Sequence, residues 1–246
     1  PGATSMFGSQ ATSSQDILVV DANRTFSLDA EFTSKVPFEK IVRVLSAFHR
    51  KIQKRGKYMG YIQGINAIAG CFLYNMPEVE AWSAMCIMIE KMCPRYCGLY
   101  GGSYDGDVLV RRIIEVVDPT LAARLVLVPL TVFTHQVLHG LCTVYPPLSE
   151  VLKLWDLILA FGVHMSTIFA ACMVVLRRNE ILSAEDPNFF IQKGAHPPTD
   201  AAALIRLAVH IIPLIPPKLF ALCAAHHWKP LALLEQYDDP LQALDS

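Results

Sequence analysis

The sequence has no excess of charge of either sign, because 21 Lys and Arg residues balance 22 Asp and Glu residues and leave a formal net charge of −1. A chain without a bulk electrostatic field is not drawn as a whole to nucleic acid or to an anionic membrane. Any binding of a polyanion would therefore depend on a local cluster of basic residues. No nucleic-acid partner is expected, and no feature specifies an oligomeric state.

The sequence also lacks the cysteine spacing that is typical of disulfide-rich proteins, and no stretch resembles a secretory signal peptide. Its seven cysteines are odd in number, and most lie in apolar stretches such as AGCFL, AMCIM and AACMV. A free thiol in such a stretch behaves as a small hydrophobic side chain. These features favour a reducing, cytoplasmic compartment.

Uninterrupted apolar runs of membrane-spanning length are absent as well. The two most apolar regions, 121–142 and 154–176, contain Arg124 in the first and Asp156 and His164 in the second. A membrane span needs about 20 predominantly apolar residues. Since 53% of the residues are hydrophobic, these regions are expected to be buried helices in a large core.

Strand signals are scarce, whereas apolar residues at helical spacing are frequent. Residues 17–20 (ILVV) have strand propensity, but one isolated strand cannot form a sheet, so a helix turn or a buried extended lead is expected there. Apolar periodicity predicts helices at 37–53, 78–92, 106–117, 147–161, 165–182 and 200–212, and another after the polar residues 63–66. The chain is predicted to be all-α, with residues 1–16 a disordered lead or an expression scar.

Two short polar stretches interrupt the apolar pattern. Asp21 and Arg24 are three residues apart, which on a helix surface is an ordinary ion-pair spacing. The stretch GYIQGIN (60–66) by itself indicates the start of a helix, with glycine for a tight approach and Asn66 for a backbone hydrogen bond.

Together, and separated by one amphipathic helix, these stretches resemble the signature motifs of the TBC domain, the GTPase-activating module that acts on Rab-type small GTPases. The first motif of that family is Ile-x-x-Asp-x-x-Arg, and the second is Tyr-x-Gln. The matching positions are Leu18, Asp21, Arg24 and Thr25 in the first motif and Tyr61, Gln63, Gly64 and Asn66 in the second. The later stretch VLKLWDLILAFG resembles the family's Leu-x-x-x-Trp-Asp helix.

The resemblance implies a two-lobed, multi-helix domain over residues 17–246, with an N-terminal catalytic lobe near 17–117 and a C-terminal helical lobe near 118–246. It also implies that Arg24 and Gln63 enter the nucleotide site of a GTP-bound Rab-family GTPase in trans. Arg24 would stabilise charge on the transferring phosphoryl group, and Gln63 would orient the attacking water.

The remaining motif residues are expected to support these two side chains or to contact the GTPase: Asp21, Thr25, Tyr61, Gly64 and Asn66. The resemblance implies no cofactor and no metal site in this chain, because GTP and Mg²⁺ are bound by the partner GTPase. The sequence has no Gly-x-x-x-x-Gly-Lys-Ser/Thr phosphate loop. A role in vesicle trafficking is implied, with recruitment of the cytoplasmic protein to organelle membranes as one option.

Other interpretations stay open. A TBC-like scaffold would bind a small GTPase or a regulator without stimulating hydrolysis, and a helical membrane-surface module would bind anionic lipid. The second rests on a basic cluster that is either a solvated helix end or a positive rim for an acidic GTPase surface or lipid headgroups. The cluster comprises Arg50, Lys51, Lys54, Arg55 and Lys57. Gln136 lies where the family often has a Ser-Gln-Trp helix, in a surface expected to help select the GTPase.

Overall fold

The computed structural model describes residues 14–54, 64–96, 101–192 and 196–244. Within these ranges the secondary structure is helical and no strand occurs, which confirms the all-α fold class. The α-helices are α1 (Ser14–Arg24), α2 (Ala30–Lys35), α3 (Phe38–Lys54), α4 (Ile65–Asn75), α5 (Glu78–Ile87), α6 (Gly101–Val117), α7 (Pro119–Arg124), α8 (Thr131–His139), α9 (Leu148–Phe161), α10 (Met165–Leu176), α11 (Arg178–Ser183), α12 (Ala201–Ile211), α13 (Pro217–Ala225) and α14 (Leu231–Leu234). A π-helical turn, Met88–Met92, continues α5, and 3-10 turns lie at Pro187–Ile191, Ile212–Leu214 and Pro240–Leu244.

Helix α1 contains the stretch with strand propensity. Residues 17–20 are helical, and α1 begins at Ser14, inside the segment 1–16 that the sequence analysis set aside. Leu18 and Ala22, one helical turn apart, are both 2% exposed and anchor α1 in the core. Burial of this face outweighs the weak preference of branched residues for strands.

Helix α6 begins at Gly101, five residues before its predicted start at 106. The predicted boundary was wrong because glycine normally weakens a helix interior. Here the glycines are needed for close packing: a Cβ atom on Gly102 would lie 2.7 Å from Cδ1 of Tyr96, and one on Gly106 would collide with Leu138.

The helices form two groups. Helices α1, α3, α4 and α5 pack against one another, and α6 packs against α7, α8, α10 and α13. The predicted division near residue 117 puts α6 in the N-terminal lobe, whereas its main packing partners all follow it in the chain. Helix α10 lies at the centre of the second group, and every residue from Met165 to Val174 is buried.

Aromatic and polar contacts join the two groups. The rings of Phe72 in α4 and Trp155 in α9 meet edge to face with centroids 5.2 Å apart. Trp155 is held in turn by a hydrogen bond from its Nε1 to the carbonyl of Leu141, just after α8, at 2.8 Å. Tyr96 after α5 pairs its hydroxyl with Nε2 of His226 at 2.8 Å. In the described part of the chain, no helix is both long and apolar enough to cross a membrane.

Candidate functional site

Arg24 is the last residue of α1, where its positive charge is favourable beside the negative end of the helix dipole. Its guanidinium Nη2 pairs with Oδ1 of Asp21, one helical turn earlier, and 52% of the Arg24 side chain is exposed. A guanidinium carries several N–H donors, so one contact with a carboxylate does not use them all. Arg24 can therefore be oriented by its own helix and still bind an anion outside it.

Asp21 is the buried partner in this ion pair. Its side chain is only 2% exposed, and its second oxygen, Oδ2, has no hydrogen-bond partner within the described residues. A buried carboxylate is costly unless it is paired and hydrogen-bonded. Arg24 supplies the pairing, so the two residues are interdependent: the cation neutralises Asp21, and Asp21 restrains the cation.

A hydrogen-bond network ties the end of α1 to the start of α4. The amide Nδ2 of Asn66 donates to the main-chain carbonyl of Asp21 at 3.2 Å and to Oγ1 of Thr25 at 2.9 Å. The Thr25 hydroxyl donates in turn to the Asp21 carbonyl at 2.8 Å. Asn66 and Thr25 are buried, so breaking these bonds would leave polar groups without water as a substitute.

Gly70 allows these two elements to approach closely. It lies one helical turn after Asn66, on the same face of α4. A Cβ atom at this position would lie 2.9 Å from both Cγ2 of Thr25 and Cε2 of Phe26. Phe26 adopts a positive φ of 43°, which turns the chain back after α1, and its ring packs edge to face on Phe32 at 5.1 Å. Residue 70 therefore has to be glycine if Thr25 and Phe26, which form the turn after Arg24, are to pack this closely against α4.

Gly64 starts α4 in a left-handed conformation, with φ of 101°, that favours glycine. A Cβ atom built there would lie 3.6 Å from the backbone nitrogen of Gly140 at the end of α8, so the start of α4 also lies against the second group of helices. Tyr61 and Gln63 lie outside the described residues. Gln63 is nevertheless joined by a single peptide bond to Gly64, whose surroundings the structure describes.

The structure thus brings together Asp21, Arg24, Thr25 and Asn66 at the junction of α1 and α4, and Gly64 precedes the first residue of α4. Gly70, which permits the close approach of α1 and α4, was not among the predicted site residues. The only signal for Gly70 was a glycine one turn after Asn66 inside an apolar helix. That signal does not name a contact partner, because the partner lies more than 40 residues earlier.

The residues of the predicted basic cluster differ in their exposure and in their contacts. Arg50 and Lys54 are exposed at the end of α3, whereas Lys51 is held against Glu90 at 2.6 Å and near the ring of Trp82. Arg55 and Lys57 lie outside the described residues. Lys51 therefore joins α3 to the turn after α5 rather than presenting its charge freely.

The surface of α8 beside Gly140 carries Gln136, which is exposed. His135 on this helix contacts the ring of Tyr104 with centroids 4.5 Å apart, and His139 Nε2 pairs with Oγ of Ser103 at 2.8 Å. Burial lowers the pKa of His139 to about 4 and also lowers the pKa of His135. Within the described ranges no group of three or more His, Cys, Asp or Glu side chains is placed to hold a metal ion.

Known proteins resemble this chain over most of its length. The sequence model of the Rab-GTPase-TBC domain family matches residues 6–182. The putative mitotic check point protein BUB2 of Dictyostelium discoideum is 37% identical over 210 residues, which cover 84% of this chain and 55% of that protein. The chain thus spans little more than half the length of this relative.

Two yeast proteins are similar at lower identity. Cell division control protein 16 of Schizosaccharomyces pombe is 28% identical over 85% of this chain and 69% of its own length. Mitotic check point protein BUB2 of Saccharomyces cerevisiae is 28% identical over 84% of this chain and 71% of its own length. The family match covers well over half of the chain and includes the junction of α1 and α4. The chain therefore belongs to the Rab-GTPase-TBC domain family.

Proposed function

We propose that this chain accelerates GTP hydrolysis by a Rab-type small GTPase, with Arg24 and Gln63 supplied in trans as arginine and glutamine fingers. The observation that carries the proposal is the buried bond network of Asn66. This network ties the end of α1, which bears Arg24, to the start of α4, two residues after Gln63. Two side chains that act on one phosphoryl group need such a fixed separation.

Arg24 would act on the charge of the transition state. As the attacking water approaches the γ-phosphorus and the bond to the β-phosphate oxygen breaks, negative charge spreads over the phosphoryl oxygens. A permanently charged, forked guanidinium binds these oxygens better than water does, and an arginine finger increases turnover by about 10³–10⁵-fold. The half-exposed Arg24 at a helix end has the exposure that this role requires.

Asp21 would act as a positioning residue for Arg24. In the free protein it holds one nitrogen of the guanidinium, while 52% of the Arg24 side chain stays exposed. Less side-chain entropy is then lost when the guanidinium enters the partner's site. Because Asp21 is buried, it would position Arg24 without touching GTP.

Gln63 would orient the attacking water in place of a glutamine of the GTPase. Gly64 supports this role because its left-handed backbone and its contact with Gly140 define where the chain enters α4. Thr25 and Asn66 would hold the two fingers at their spacing, and Tyr61 would support the segment that carries Gln63. No cofactor is needed in this chain, since the partner GTPase would bind both GTP and Mg²⁺.

The test is single-turnover phosphate release from a panel of GTP-loaded small GTPases, with and without this chain. Because the similar proteins are named for a mitotic check point and for cell division control, GTPases that act in cell division come first and those of vesicle trafficking second. We expect stimulation of one or a few members. Arg24→Lys, which keeps the charge but loses the fork, and Gln63→Ala should each abolish most of it.

Matched controls separate the fingers from general effects of substitution. Arg178 is also half-exposed and pairs with a largely buried aspartate, Asp118, but it lies in α11. Arg178→Lys and Gln236→Ala, the second in an exposed position near the C-terminal end, should leave stimulation within about twofold of wild type. Wild-type stimulation by Arg24→Lys would remove the arginine-finger assignment. A folded chain that binds a GTPase but stimulates none of the panel would instead support the scaffold interpretation.

A further inference from the structure

The turn after α8 lies directly beside the residue that follows Gln63. A Cβ atom built on Gly64 would lie 3.6 Å from the nitrogen of Gly140 and 3.7 Å from the carbonyl carbon of His139. These two atoms belong to one peptide group, which joins the last residue of α8 to the turn after it. The position of this peptide group therefore limits where the chain can run just before α4.

The backbone of this turn is strained and is held by the fold. Leu141 and Cys142 both have a left-handed φ, of 49° and 67°, which residues other than glycine rarely adopt. Both are buried. The Cys142 N–H donates to the carbonyl of Val137 at 2.8 Å, and the Leu141 carbonyl accepts from Nε1 of Trp155 at 2.8 Å. Strained backbone persists only where the surrounding structure fixes it, and it is concentrated at functional sites.

His139 fastens the start of this turn to α6. Its Nε2 pairs at 2.8 Å with Oγ of Ser103, which is fully buried in the first turn of α6. Burial lowers the pKa of His139 to about 4, so the imidazole is neutral near pH 7 and the contact is a hydrogen bond between neutral groups. Because a hydrogen bond is directional, this contact fixes the orientation of the helix end as well as its distance from α6.

We propose that His139 is a positioning residue for Gln63, because its hydrogen bond to Ser103 holds the end of α8 where it sets the backbone of Gly64. The effect on catalysis rests on the proposed function. Gln63 is linked to Gly64 by one peptide bond, so a shift of the α8 end would move the amide that is to orient the attacking water. Asn66 fixes the glutamine finger relative to α1, and His139 fixes it relative to the second group of helices.

The proposal predicts an effect on turnover and not on affinity, since a residue that acts through the backbone changes only the geometry reached in the transition state. His139→Phe keeps a ring but loses the hydrogen bond, and it should lower the stimulated kcat about tenfold with KM within about twofold. Ser103→Ala removes the same bond from the side of α6. It should have the same effect, and the double variant should be no worse than either single one. His139→Gln, whose amide can still pair with Ser103, should restore most of kcat.

An NMR measurement tests the same link without any GTPase. The assigned backbone amide signal of Gly64 responds to the peptide group at the end of α8, so Ser103→Ala should shift or broaden it. The matched control is Ser166→Ala. Ser166 is also a fully buried helical serine, but it lies in α10 and donates to the carbonyl of Val163 at 2.7 Å. This control should change neither the Gly64 signal nor kcat, and thermal melting of each variant checks the fold.

The outcomes separate this inference from the proposed function. If Ser103→Ala leaves the Gly64 signal unchanged, His139 does not position the chain before α4 and the inference is wrong. If the signal moves while kcat stays at the wild-type value, the GTPase-activating function stands and the positioning of Gln63 is wrong. An equal fall of kcat in Ser166→Ala would assign the effect to lost stability and would also overturn the inference. A wild-type chain that stimulates no GTPase would overturn the proposed function and, with it, the role of His139 in catalysis.

Discussion

Replacement of Asn66 by alanine tests whether the junction of α1 and α4 positions the fingers. The change removes an amide that donates to the Asp21 carbonyl at 3.2 Å and to the Thr25 hydroxyl at 2.9 Å. Each such hydrogen bond contributes about 1 kcal/mol net, so the loss is roughly 2 kcal/mol in the free energy of unfolding. Alanine is the better helix former, which offsets about 0.5 kcal/mol of it.

A loss of this size leaves a domain with an ordinary stability of about 5–15 kcal/mol almost fully folded. The effect on turnover should be larger than the effect on stability. Without the Asn66 amide, the end of α1 is free to shift relative to the start of α4, and a misplacement of about 1 Å in a catalytic group costs up to about 100-fold in rate. We expect Asn66→Ala to lower the stimulated rate about 10-fold to 100-fold.

The matched control is Asn75→Ala at the other end of the same helix. Asn75 donates a hydrogen bond to the carbonyl of Cys71 within α4 at 2.8 Å, and among the described residues it makes no hydrogen bond to a second element. It should lose less stability than Asn66→Ala and should stimulate hydrolysis at the wild-type rate. The assays are single-turnover phosphate release at saturating concentrations of this chain and urea unfolding followed by circular dichroism. If Asn66→Ala unfolds more easily but stimulates like wild type, the network is structural only and our reasoning on positioning is wrong.

Three further predictions concern packing and pH. Gly70→Ala introduces a methyl group 2.9 Å from Thr25 and Phe26, so it should destabilise the fold by about 1–3 kcal/mol and lower stimulation; an unchanged rate and melting temperature would show that the turn after α1 accommodates the methyl group. Trp155→Phe removes the donor to the Leu141 carbonyl and should cost about 1–3 kcal/mol in urea unfolding, with unchanged kcat per folded molecule; a lower kcat at full folding would mean that α9 acts on the site. Burial lowers the pKa of His226 from 6.5 to about 4. The unfolded chain therefore binds the proton more readily, and stability that is present above pH 6.5 is lost as the pH falls toward 4, by about 3 kcal/mol from this residue. Urea unfolding at several pH values should show this loss, and His226→Gln should make it shallower; equal slopes would mean that His226 does not cause it.

The positions of most helices could be predicted from the sequence because helical periodicity is a local property. The apolar spacing of 37–53 predicted α3, which the structure places at Phe38–Lys54, whereas the single helix predicted at 165–182 is divided into α10 (Met165–Leu176) and α11 (Arg178–Ser183). Boundaries failed where packing overrides local preference. Helix α6 starts at Gly101 instead of residue 106, and neighbouring side chains leave no room for a Cβ atom on Gly101 or Gly102. At 17–20, by contrast, the helix turn that was one of two expectations is present, with Leu18 and Ala22 buried.

The resemblance to the family motifs predicted site roles for Asp21, Arg24, Thr25, Gly64 and Asn66, since residue types at fixed short spacings can be read from the sequence. The sequence also supplied the ion-pair spacing of Asp21 and Arg24, because three residues in a helix bring two side chains to one side. That Asp21 is buried while Arg24 is half-exposed was decided only by the tertiary structure, because burial depends on which elements cover the helix. Asn66 pairs with groups 41 and 45 residues earlier, and Gly70 admits the turn after α1. Those contacts depend on how α1, α3 and α4 pack together, and no local pattern encodes a partner that far away along the chain.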